Sequence, residues 1–432
     1  MADKPDAPVW ERGFLILILL TAVCWLVACG GAPSTKLPAI AAGTPTPAPD
    51  ADKARLTEAA RTAALAAAKA TSIAARATLD AIPTPLPTAT LTPSPLPTLT
   101  ATPTSSPSPS ATPTPTRPAV GGRIAFSSTR DGGSLFIMNA DGSNVRRLAQ
   151  GVREPRWSPD GRHIAVHCGE SNPDVCVINA DGSGLINVTS NPAYYYWYRW
   201  SPDSQRLVFL SNRDGQFDIY VVNANSTALT KLTDSPANDD WPSWSPDGQY
   251  VAFYSLRRGD RYQRIHVAHA DGSGLADMAD NPIGTEPAWA PDGQHIAFAG
   301  PFPSGNWDIY LMSPDGSGVV NLTHHPGFDA FPIWSPDSKH IAFQSQRNGD
   351  LGLFVMNADG SDVTFLNRIG GASLDAPTWS PDSRRIAFEV CSDESRPRWD
   401  CDIYVANADG SGLTNLTNHP ANDFAPAWEP TP

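Results

Sequence analysis

The stretch that decides the fold reads WSPDSRRIAFEV over 379–390, DIYVANADGSG over 402–412 and LTNLTNHPANDFAPAW over 413–428. It opens on one Trp and closes on the next. The same Trp recurs at Trp157, Trp200, Trp244, Trp289, Trp334, Trp379 and Trp428, at spacings of 43, 44, 45, 45, 45 and 49 residues. A fixed period of this length marks a repeat architecture, whose units bury their faces only against each other. Within the unit, IAF and DIYV are apolar on successive residues, so both faces of these short strands are expected to be buried. A weaker strand ends in LT and a fourth leads into the Trp. S-P-D-G/S suits a type I turn, with Pro at its second position and Asp bonding nearby backbone. N-A-D-G-S-G supplies a Gly where a hairpin needs positive φ. Four short antiparallel strands per unit, stacked face to face, make a β-propeller blade.

Both the IAF-type strand, starting at Ile124, Ile164, Leu207, Val251, Ile296, Ile341 and Ile386, and the Trp strand occur seven times. The chain enters the repeats on a second strand, with no WSPD before it, and leaves on a first strand ending at Trp428. The expected fold is therefore all-β: a seven-bladed β-propeller over 120–432 whose C-terminal strand closes the first blade. An open array would leave unpaired edges.

At these residues the pattern W-S-P-D-G-x-x-I-A-F…D-I-Y-V-M-N-A-D-G-S-G…L-T resembles the WD40-like (PD40) repeat of the TolB-type propellers, over roughly 310 residues. That family includes partner-binding periplasmic proteins and the propeller domains of some peptidases and lyases. The resemblance implies a fold and leaves the activity open.

Four segments precede the repeats. Residues 14–27 are a 14-residue apolar run, short for a bilayer span, ending in Leu26-Val27-Ala28-Cys29-Gly30. This resembles the bacterial lipobox and implies a signal peptide over 1–28, with diacylglycerol transfer to the Cys29 thiol, cleavage before it and membrane anchoring through the new N-terminal lipid. A short tether follows over 29–50. Residues 51–82 are Ala-rich, with Lys, Arg, Glu and Leu and no Gly or Pro, and predict a helix. Residues 83–119, almost entirely Pro, Thr, Ser, Leu and Ala, cannot bury a core and predict an extended disordered linker.

The formal net charge of −13 argues against a nucleic-acid partner, which needs a basic surface. Of six Cys, Cys24 falls within the signal segment and Cys29 is the lipidation site. Cys168 with Cys176, and Cys391 with Cys401, each flank the loop between the second and third strands of one blade. Each pair suits a hairpin disulfide, and so an oxidising, extracytoplasmic place in the cell envelope. A four-Cys metal site would need two distant blades to converge and lacks CxxC spacing. No G-x-S-x-G elbow, H-E-x-x-H or phosphate-binding loop is present, so no catalytic residue, metal or cofactor is expected.

The repeated Asp of W-S-P-D and of N-A-D-G-S-G reads as turn chemistry, and the repeated Trp as core. Variation concentrates in the loops leading into the inner strand and between the second and third strands, which open on one face. The first set carries Glu154, Asp239, Asp240, Glu286, Asp329, Asp375 and Asp423, expected at the mouth of the central channel. The second adds Arg130, Arg213, Arg257, Arg258, Arg261, Trp307, Arg347, Arg398 and Trp399. One inner-strand approach stands apart, with Tyr194, Tyr195, Tyr196, Trp197 and Tyr198 in succession. These aromatics are the expected anchor of a binding surface for a protein or glycan, with the acidic residues beside them. The alternative is a carbohydrate-active lyase or hydrolase working at the channel mouth, with an acid and an Arg within reach of one another.

Overall fold

The computed structural model describes residues 122–169, 173–257, 260–276, 278–301, 305–369, 377–391 and 401–431. The signal segment, Cys29, the tether, the Ala-rich helix and the linker lie outside the described residues, as do Arg258, Asp375, Arg398 and Trp399.

The described residues form seven antiparallel sheets, the blades of an all-β propeller. Among the described residues, helix is confined to one short 3-10 turn at Arg130–Gly132. The inner strands, in chain order, are Val152–Trp157, Tyr195–Trp200, Asp239–Trp244, Thr285–Trp289, Asp329–Trp334, Thr378–Trp379 and Asp423–Trp428. Blade 1 runs Asp423–Trp428, Arg123–Ser128, Ser134–Asn139 and Arg146–Gln150 from the inside out. The last strand of the chain thus completes the first blade, with Ile124 opposite Trp428 and Ser128 opposite Asp423. Arg123 ties the junction further through its guanidinium, 2.7 Å from the Glu429 carboxylate. Blade 4 departs from four strands: beyond Arg264–His269 only two isolated bridges, Ala268 to Leu275 and Arg264 to Ile283, follow.

The second strands are buried on both sides, as their continuous apolar runs require. Phe126, Phe209, Phe298, Phe343 and Phe388 each stack on an aromatic of the neighbouring third strand: Phe136, Tyr220, Tyr310, Phe354 and Tyr404. Disulfides join Cys168 to Cys176 and Cys391 to Cys401, each between the second and third strands of one blade.

The repeated Trp does more than fill space. Its indole N–H donates to a carbonyl of the preceding blade: Trp157 to Ala427, Trp200 to Arg156, Trp244 to Arg199, Trp334 to Ala288 and Trp379 to Ile333. The residue opening the second strand of the preceding blade covers its ring. Arg123 lies over Trp157, Arg206 over Trp244 and Arg385 over Trp428, at 4.9–5.3 Å from the ring centre, while His163, Tyr250 and His340 pack on Trp200, Trp289 and Trp379. Blade–blade contact at Trp157, Trp200, Trp244 and Trp379 is therefore both polar and apolar, whereas the buried Trp289 indole N–H has no hydrogen-bond partner among the described residues. The W-S-P-D turns close as their chemistry predicts, for example with Ser158 Oγ donating to Asp160 and accepting from the His163 N–H.

Candidate functional site

The inner strands line the centre of the ring, and each fully described one carries a bulge. Their register shifts at Arg153/Arg156, Tyr196/Arg199, Asp240/Ser243, Thr285/Ala288 and Ala330/Ile333, and blade 1 shifts between Ala125 and Ser127 on the partner strand. The residue three before each Trp takes positive φ there: Glu154, Trp197, Trp241, Glu286, Phe331 and Ala425, all between 51° and 57°. A bulge breaks strand alternation and re-aims one side chain. The local cause is legible: Pro155, Pro242, Pro287, Pro332, Pro377 and Pro426 stand two before the Trp. Pro has no N–H to give to a ladder and is tolerated at a bulge. Tyr198 replaces it in blade 3, and its hydroxyl donates to the Glu154 carbonyl. The x-P-x-W spacing is the sequence signal of this bulge.

The re-aimed side chains meet. The rings of Trp197 and Trp241 lie 3.8 Å apart between centres. Trp241 reaches Phe331 at 5.3 Å, although Trp241 belongs to blade 4 and Phe331 to blade 6. Between those blades Glu286 projects from blade 5 and accepts the Phe331 N–H at 2.8 Å. Asp240 accepts its neighbour Trp241's N–H at 2.7 Å and the Tyr254 hydroxyl at 3.3 Å. These five residues are half-buried: largely covered by protein, with part of their surface accessible. Burial pushes Glu286 up to about 8, against the Phe331 N–H and with the Asp240 charge adding to it. Burial likewise lifts Asp240 to about 6, with hydrogen bonds from Trp241 and Tyr254 opposing and the Asp239 charge adding. Glu154 behaves oppositely. Burial would raise it, but His167, whose Nδ1 lies 3.0 Å away, holds it near 2, helped by Arg153 and Arg156.

The structure corrects the expected acidic mouth. Asp239, Asp329 and Asp423 are wholly buried and do not present themselves to a ligand. They start their inner strands, where the residue faces its own blade, and each lies beside an Arg from the loop after the second strand. Arg130 Nη2 is 2.5 Å from Asp423, Arg347 Nη2 is 2.9 Å from Asp329 and Arg257 Nη2 is 3.7 Å from Asp239. Each of these Arg also covers a core Phe, so they act as internal staples where the sequence suggested a binding face. Of the named acids in the described residues, Glu154, Asp240 and Glu286 keep accessible surface, and Glu154 lies against His167.

The aromatic run is split in the same way. Tyr195 is 1% exposed and occupies the register position of those buried Asp residues, its hydroxyl receiving Arg213 Nη2 at 3.0 Å. Tyr198 is also core. Neither belongs to a binding surface, because the strand turns both inward. Trp197 goes to the channel. Tyr194 remains 46% exposed, its ring parallel to that of Tyr196 at 6.3 Å, and Tyr196 packs on Phe217 at 5.9 Å. Among the described residues no group of three or more His, Cys, Asp or Glu is placed to hold a metal ion.

A family model described as the TolB beta propeller domain matches residues 112–279 and 278–375. The chain is also similar to Dipeptidyl-peptidase 5 of Porphyromonas endodontalis, 34% identical over 82 residues, which are 18% of this chain and 12% of that protein. The match thus spans a small part of that relative's length. Among solved structures, an oligogalacturonate lyase from Vibrio parahaemolyticus has a TM-score of 0.52 at 14% identity, covering 69% of this chain and 87% of that one. A puromycin-hydrolyzing peptidase of Mycobacterium tuberculosis has a TM-score of 0.53 at 13% identity, covering 69% and 51%. TolB from Acinetobacter baumannii has a TM-score of 0.49 at 20% identity, covering 72% and 67%. The likeness to the lyase and the peptidase, at these identities, shows the fold alone.

Proposed function

We propose, from the premise that this chain belongs to the TolB β-propeller family, that it is a binding module: a lipid-anchored, extracytoplasmic propeller that docks a protein or glycan. The observation that carries this reading is the stacked pair Tyr194 and Tyr196, backed by Phe217 on the irregular face. Rings held by neighbours lose little freedom on binding and offer flat faces with hydroxyls at their edge. The Arg and Asp residues of that face that would serve as charge-stabilising groups are instead engaged within their own blades. Anchoring through Cys29 rests on the lipobox, and the two disulfides support an oxidising compartment. The test is a glycan and polypeptide array probed with the full chain. Replacing Tyr194 and Tyr196 together with Ala is expected to weaken the captured ligand about tenfold, about 1.4 kcal/mol, at unchanged melting temperature. Unchanged affinity would remove this surface from the reading.

One observation favours a second reading. Glu286, held protonated up to about pH 8 beside Asp240 and under aromatic rings, has the environment of a general acid. A carbohydrate-active enzyme would use Glu286 to protonate a leaving oxygen and Asp240 as base or nucleophile. Incubating the full chain with an oligosaccharide panel decides it: product formation abolished by Glu286→Gln would establish the enzyme, and no turnover by the parent would remove it.

A further inference from the structure

We infer that the channel holds a site for an organic cation, an alkylammonium or guanidinium group, walled by Trp197, Trp241 and Phe331 and neutralised by Glu286 and Asp240. The inference rests on the binding-module reading and names the chemistry of a group that the channel would receive.

The argument starts from which carboxylates are already neutralised. On the inner strands, Asp423 has Arg130, Asp329 has Arg347, Asp239 has Arg257 and Glu154 has His167. Glu286 and Asp240 differ. Their partners in the described residues are backbone N–H groups and one phenol, all neutral, while the Asp240 charge acts against ionisation of Glu286 and the Asp239 charge against that of Asp240. An enclosed carboxylate without a counter-charge is costly, and burying it beside a second one costs more. A plug of three rings would need neither acid.

The rings supply the second half of the site. Glu286 stands on the blade between those of Trp241 and Phe331, whose rings approach within 5.3 Å, and Trp197 extends the wall at 3.8 Å from Trp241. The faces of indole and phenyl rings attract cations, and an enclosure of several such faces recognises ammonium groups. The carboxylates keep lone pairs free beyond their single backbone bonds. All five residues are half-buried, so each keeps some accessible surface in the folded ring.

The experiment is calorimetric titration of the full chain at pH 9, where both acids are ionised, with four probes: tetramethylammonium chloride, N-acetyl-lysine amide, N-acetyl-arginine amide and the neutral N-acetyl-glutamine amide. The expected result is saturable binding of at least one cation, at least tenfold tighter than the glutamine amide. Tightest binding of tetramethylammonium points to a free quaternary ammonium; tightest binding of an amino-acid amide points to a basic side chain of a polypeptide. Glu286→Gln combined with Asp240→Asn, which preserves shape, is expected to weaken the cation at least tenfold. Trp241→Leu should do the same, while Trp241→Phe should retain most of the binding. No saturation below about 10 mM, equal binding of the glutamine amide, or undiminished binding in the folded Gln/Asn variant would each overturn the site. If the titration fails while array binding still depends on Tyr194 and Tyr196, only this inference falls. If the titration succeeds while array binding ignores those two residues, only the docking surface falls.

Discussion

Arg213 Nη2 donates to the Tyr195 hydroxyl at 3.0 Å, where blades 1, 4 and 6 place a buried Asp beside the equivalent Arg. A neutral phenol has replaced a carboxylate at the start of an inner strand, and the guanidinium is kept by three aromatic faces, those of Tyr195, Phe209 and Tyr220. The most unusual stretch of the sequence thus owes part of its composition to a structural exchange within one blade.

Tyr195→Phe therefore tests packing against display. It removes one of two acceptors of Arg213 Nη2, which keeps the Thr189 carbonyl, and the donor to the Asn191 carbonyl, so it is expected to cost about 1–3 kcal/mol in denaturant unfolding. Tyr194→Ala, at an exposed position, is expected to stay within about 0.5 kcal/mol. Equal losses at the two positions would contradict the division of the run.

The two channel glutamates should pull stability in opposite directions with pH. Glu154 is depressed from its ordinary 4.5 to about 2, so its contribution is present above 4.5 and is lost as pH falls toward 2. Glu154→Gln is expected to flatten the melting temperature across that window. Glu286 is raised from 4.5 to about 8, so its favourable state is complete below 4.5 and is lost as pH rises through 8. Glu286→Gln is expected to leave melting unchanged at pH 4 and raise it at pH 9. A variant that melts like the parent at pH 9 would show that Glu286 is better solvated than its position indicates.

Ring closure is tested by truncation. Deleting residues 423–432 removes the inner strand of blade 1, the Ala427 carbonyl that receives the Trp157 indole, and the Glu429 partner of Arg123. Loss of cooperative thermal unfolding or aggregation is the expected outcome, because two sheet edges are then exposed. Parent-like melting would mean that the closing strand is dispensable.

Anchoring is tested at Cys29. Cys29→Ala is expected to give an uncleaved precursor or a form that leaves the detergent phase, read by phase partitioning and N-terminal mass. Unchanged partitioning and an unchanged mature N-terminus would exclude lipidation at that residue.

The blade count, the strand order, the closing strand and the turn chemistry were all legible in the sequence. Each depends on local signals repeated at a fixed period: apolar runs such as Ile341-Ala342-Phe343, and the S-P-D and D-G-S turns. Repetition lets weak local preferences reinforce one another. Which acids face a ligand was not legible, because Asp239 and Asp240 are adjacent and chemically identical. Strand alternation turns one toward Arg257 inside its blade and the other to the opposite face, and which of the two takes which side follows from the register that the ladder sets. Strand alternation cannot be read through an extra residue, so the bulge hid the placing of Trp197 and Trp241. The meeting of Trp241 with Phe331 joins blades separated by a third, and their neighbourhood exists only once the ring has closed. Sequence periodicity specifies what each blade is; the curvature of the ring decides which side chains of different blades converge at its centre.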